Sequence, residues 1–133
     1  MSGVDVIGAL LRRNVELAAV VSVDSIKAGM LPDGVELPAL LVRMVSGTDY
    51  QTLIRGQTVH VTERISVTVR AESYRDQRAV IRLVRAACAG FVGDIANVER
   101  VSVLTAGMSP DVIGPANSFE QSADFRVSFD TSA

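Results

Sequence analysis

The chain has 133 residues, 48% hydrophobic and 21% charged, with 10 Gly and 4 Pro, which suffices for one apolar core and argues against both a second domain and a disordered chain. The formal charge is −2 and every basic residue except Lys27 is an arginine, so bulk nucleic-acid affinity is not expected, and the arginine bias leans towards protein association or reflects codon usage. A single cysteine, Cys88, rules out an intramolecular disulfide framework, and with the single His60 it cannot make an ordinary structural zinc site unless carboxylates or a partner chain contribute.

In chain order, Ser2 can cap a helix that places Val4, Ile7, Leu11, Val15 and Ala18 on one face and Asp5, Arg12 and Glu16 on another. Asn14 intrudes at the edge of that face and predicts a break into two short helices. Between Val23 and Pro38, turn residues predict a short strand around Ser25 to Ala28 and then a loop. Ala39 to Val45 is apolar and β-branched and predicts a strand buried on both faces. From Ser46 to Gly56 the turn residues and Tyr50, Leu53, Ile54 and Arg55 predict a long projecting connection, a first candidate for contact with another molecule.

The next two segments carry the strongest periodicity. Val59, Val61, Ile65, Val67, Val69 and Ala71 alternate with His60, Thr62, Arg64, Ser66, Thr68, Arg70 and Glu72, which predicts a strand with one buried face. Glu63 interrupts the apolar column and points to a sheet end, a bulge or a subunit contact. Ser73 followed by Asp76 resembles a capping box and starts a helix with Val80, Leu83, Val84, Ala87 and Phe91 on one side and Arg75, Arg78, Arg82 and Arg85 on the other. Gly90 or Gly93 can end it. Val98 to Ala106 predicts a strand, Gly107 to Asn117 a flexible connection. In the last strand Phe119, Ala123, Phe125, Val127 and Phe129 share one face. No internal repeat occurs. The order predicts a single α+β domain over 1–133, with an antiparallel or mixed sheet of about four to five strands, two main helices packed on one face and long projecting loops.

No P-loop, G-x-G-x-x-G, G-x-S-x-G or H-E-x-x-H motif is present. His60 is expected as a solvated or interface histidine, Cys88 as a small buried hydrophobe, and Glu63, Glu72 and Asp76 as carboxylates without metal-ligand spacing. The expectation is a protein that is not an enzyme and holds no cofactor or metal. The Arg75, Arg78, Arg82 and Arg85 stripe is the one constellation with a functional reading besides that of a solvated helix face: it could meet acidic patches on a partner. No aromatic platform accompanies it, which argues against nucleic acid. The first residues lack a basic segment, apolar core and cleavage site, and no apolar run approaches bilayer-spanning length, so the chain is expected in the cytosol or in a particle assembled there, away from membranes.

The order of pieces resembles the tail-terminator or tail-completion proteins of long-tailed, siphovirus-like bacteriophages. The likeness rests on a leading Val6-Ile-Gly-Ala-Leu-Leu11 helix, the Leu31-Pro-Asp-Gly turn leading through Leu37-Pro38 into an apolar strand, Val45-Ser-Gly-Thr-Asp49, and Ala71-Glu-Ser-Tyr74 before an Arg/Ala-rich helix. It covers the whole chain and carries no invariant signature. It implies a structural virion protein, assembled in the host cytoplasm, that forms a ring, typically six-fold, at the head-proximal end of the tail tube. Such a ring ends tube growth and joins the tail to the head connector. The implied partners are further copies of the chain, the tail tube protein and the head-tail connector or stopper. No specific nucleic-acid binding is implied, though the genome would pass through the lumen. Candidate interface residues are Thr48, Asp49, Tyr50, Arg55, Glu63, Arg64, Arg75, Arg78, Arg82 and Arg85, with Glu63 and Arg64 as candidates to pair across a subunit boundary. The alternatives are a head-tail connector or neck protein and a small regulatory, ligand-binding α+β domain or enzyme-complex subunit.

Overall fold

A computed structural model describes residues 2–50 and 58–132. The elements run α1 (Gly3–Arg13), α2 (Val15–Ala18), β1 (Ile26–Ala28), β2 (Ala39–Tyr50), β3 (Thr58–Ala71), α3 (Tyr74–Cys88), β4 (Val92–Ile95), β5 (Val98–Met108), β6 (Val112–Ile113) and β7 (Phe119–Ser132). The sheet is mixed and seven-stranded, in the order β1-β2-β3-β7-β5-β4 with β6 on β7, against the four to five strands expected. The two extra strands are short, at 4 and 2 residues, too brief to display alternation. Among the described residues, only β1 pairs in parallel, with β2.

The centre of the sheet is β3 against β7, in continuous antiparallel register from Thr58 opposite Ser132 to Ala71 opposite Phe119. Strict alternation in both strands brings Ile65, Val67 and Val69 beside Ala123, Phe125 and Val127 on one face, all at most 1% exposed. The helices pack on that same face. For α1 the buried side is Val6, Ile7, Leu10 and Leu11, not the predicted column through Val15 and Ala18. The reason is the break at Asn14: its Oδ1 accepts the Leu17 backbone N–H at 2.9 Å and starts α2 in a new phase, leaving Val15 exposed.

For α3 the buried side is Gln77, Val80, Ile81, Val84 and Cys88. The apolar face is thus turned slightly from the predicted one, and Leu83, Ala87 and Phe91 are half-buried at its margin. The Ser73 Oγ accepts the Asp76 N–H at 3.1 Å, as the capping pattern suggests, and Gly90, at φ +78°, follows the C-terminal end of the helix where a side chain would be strained.

Strand β2 departs most from expectation. It does not stop at Val45 but runs to Tyr50, so the first part of the expected Ser46–Gly56 connection is strand, paired with β3 from Ser46 opposite Arg64 to Tyr50 opposite His60. The remainder of that connection lies outside the described residues. Arg43, Met44 and Val45 are exposed, so only Ala39, Leu40 and Val42 fulfil the expectation of burial. The register shifts between Met44 and Ser46, making Val45 the extra residue of a bulge. The bulge expected near Glu63 therefore lies in the facing strand. Likewise, the expected Gly107–Asn117 connection is partly ordered, with Gly107 and Met108 ending β5 and β6 folded against β7.

Candidate functional site

The two faces of β3 separate its candidate residues. Glu63, on the helix-covered face, accepts the Gly3 backbone N–H on its Oε1 at 2.6 Å. A carboxylate there satisfies one of the four orphan donors at the start of α1 and complements the positive end of its dipole. Gly3 permits this approach, since a Cβ would lie 2.7 Å from the same oxygen. Arg64 points the other way. Its Nε donates to Asp124 Oδ2 at 2.8 Å and its Nη2 to the Ala106 carbonyl oxygen at 2.7 Å. Both residues proposed to pair across a boundary thus have partners within the chain.

Arg64 belongs to a ladder of polar pairs across β3 and β7 on the face opposite the helices. Arg70 Nε donates to Glu120 at 3.0 Å, Thr68 and Ser122 hydroxyls lie 2.7 Å apart, Thr62 and Ser128 hydroxyls 3.1 Å, and His60 Nδ1 is 2.9 Å from Asp130. Cross-strand pairing explains why so polar a face is tolerated: most of its charges are matched by a residue directly or diagonally opposite. His60 is 52% exposed and its Nδ1 contact is to the Asp130 carboxylate, which is 23% exposed. Among the described residues no group of three or more His, Cys, Asp or Glu side chains could hold a metal ion. Cys88 is fully buried, and burial alone pushes its thiol up to about 12, far from a reactive thiolate.

The arginine stripe on α3 differs. Arg78 lies over the Tyr74 ring, 5.7 Å from its centroid, and donates to the Tyr74 hydroxyl at 3.3 Å, a bond that raises its pKa. Arg75, Arg82 and Arg85 are exposed and have no carboxylate partner among the described residues. Arg78, Arg82 and Arg85 line a groove of about 300 Å³ whose other walls are Ile81, Met108 and Gln121. The structure therefore brings three of the four stripe residues together along one groove and leaves Arg75 outside. Thr48 is exposed on β2 opposite Thr62, Asp49 and Tyr50 follow it in the strand, and Arg55 lies outside the described residues.

Sequence periodicity did not single out the polar cluster that buttresses the groove. Gln77 is fully buried, and its Nε2 donates to Asp111 at 2.8 Å and to Gln121 Oε1 at 3.2 Å, while the Tyr74 hydroxyl donates to Asp111 at 3.0 Å. Asp111 thus straps the β5–β7 connection onto the first turns of α3. Two signals were available. Gln77 and Gln121 are each polar residues standing in an otherwise apolar column, and a buried amide needs a partner.

No protein-family profile matches the chain, and no curated protein matches it significantly. Among solved structures, a chain from the virion of the native gene transfer agent (GTA) particle has a similar fold, with a TM-score of 0.68 at 14% identity over 94% of this chain and 92% of the other. The likeness spans nearly the whole length of both and is one of fold.

Proposed function

We propose that the protein is a structural subunit of a phage or phage-like virion, acting as a tail-terminator-like ring component. The observation that carries this reading is the full-length fold likeness to a virion chain, to which the sequence resemblance to tail terminators adds the position. The ring sits at the head-proximal end of the tail tube, ends tube polymerisation and presents a surface to the head connector. Its partners are further copies of itself, the tube protein and the connector or stopper protein. The role involves no catalysis, cofactor or metal. An asymmetric domain with a mixed sheet and an unpaired basic flank suits a heterologous interface that closes on itself.

Negative-stain imaging of the pure protein with and without isolated tail tubes tests this. Closed rings, and extra density confined to one end of the tubes, are expected. A monomer that ignores tube ends at every concentration would contradict the reading, and a ligand-dependent thermal shift in such a monomer would favour a small-molecule-binding domain instead.

A further inference from the structure

The two flanks of the helix layer carry opposite charge. On one side α3 holds Arg75, Arg78, Arg82 and Arg85 against a single acid, Asp76. On the other, the segment from Ser22 to Pro38, which includes β1 and the loop leading to β2, holds Asp24, Asp33 and Glu36 against Lys27. Asp33 and Glu36 are exposed, and neither carboxylate has a charged partner among the described residues. Beside them Met30 is 74% exposed, an apolar side chain at the outer edge of the fold. Of the nearby cations, Arg12 donates to the Ile26 carbonyl oxygen at 3.4 Å, and Arg43 is exposed on β2.

Sheet register joins the two flanks by one row. Ala28 pairs with Val42, Val42 with Val67, Val67 with Ala123, and Ala123 with Met108. Gly29 extends the row by donating its N–H to the Val42 carbonyl oxygen at 3.0 Å. Met30 follows two residues after Ala28 at one end of the row, and the Met108 wall of the groove stands at the other. A neighbour placed beside the molecule, offset along the strands by no more than about two residues, brings its Met30 near this groove. A small offset favours closure of such a repeated heterologous contact into a ring over a climbing filament.

We infer that loop 29–38 of one copy docks in the α3 groove of the next, with Met30 against Ile81 and Met108 and the carboxylates of Asp33 and Glu36 facing Arg78, Arg82 and Arg85. The inference rests on the ring reading above and names the surfaces that make the ring. Apolar contact supplies the anchor and the charged rim fixes orientation.

Native mass spectrometry of charge-reversal variants tests it. R82E/R85E and D33R/E36R each place like charges at every contact, and each is expected to lose the ring, with association weakened roughly tenfold or more, while the circular dichroism spectrum stays that of the parent. The quadruple variant restores opposite charges and is expected to reassemble. An equimolar mixture of the two double variants should also reassemble, with the copies alternating in a ring of even number. Parent rings that survive both reversals would overturn this docking and leave the ring reading standing; a parent that never assembles, with or without tubes, would overturn the ring reading itself. Reversals that abolish assembly without rescue would mean the groove meets another surface. Binding of a short DNA duplex by the parent, lost in R82E/R85E while rings persist, would reassign the groove to nucleic acid.

Discussion

Two arginines of the open sheet face, Arg64 and Arg70, and those on the outer flank of α3 serve different ends. Arg64 and Arg70 each donate to a carboxylate of β7, and the Arg70–Glu120 pair is largely shielded, with side chains 20% and 16% exposed. Arg82 and Arg85 have no such partner and stand over a groove walled by Ile81, Met108 and Gln121. Charges matched within the fold contribute to its stability. Charges left unmatched cost little in the free chain and remain available to a second molecule, so pairing, more than residue type or exposure, separates scaffold from interaction surface.

The contrast can be broken by substitution, read in urea unfolding. Glu120→Ala is expected to have the largest effect, about 1.5–3 kcal/mol, because it leaves a shielded guanidinium without its acceptor. Glu63→Ala should cost about 1–2 kcal/mol by freeing the Gly3 N–H at the start of α1, and Glu63→Gln, which keeps an acceptor oxygen, should recover part of it. Asp124→Ala should cost about 1 kcal/mol or less, since Arg64 is 43% exposed and keeps its bond to the Ala106 carbonyl oxygen. Arg82→Ala should lie within about 0.5 kcal/mol of the parent. A destabilisation by Arg82→Ala as large as that of Glu120→Ala would erase the distinction.

Much of the scaffold was legible because its signals are periodic and local. Alternation from Val59 to Ala71 and from Phe119 to Phe129 located β3 and β7, and the Ser73 cap with the 3-and-4 spacing after it located α3. Legibility failed where structure depends on distant partners. Ser46 to Tyr50 carries turn residues, yet becomes strand because β3 offers a free ladder beside it. Glu63 announced itself as an intruder in an apolar column, but its partner Gly3 is sixty residues away in sequence. The arginine stripe was visible as helical spacing, whereas the groove needs Met108 and Gln121 from two other strands. Gln77 and Asp111, which hold the β5–β7 connection against α3, meet only in the folded chain.

Disulfide trapping tests the proposed head-to-tail contact most directly. Met30 and Met108 are both exposed, so Met30→Cys with Met108→Cys in one chain should leave the fold intact, while buried Cys88, its thiol pushed up to about 12, should stay silent under mild oxidation. A ladder of covalent oligomers reaching ring size is expected on a non-reducing gel, absent from either single variant beyond traces. Oxidised double variant running only as monomer, from a preparation that imaging shows to contain rings, would contradict it.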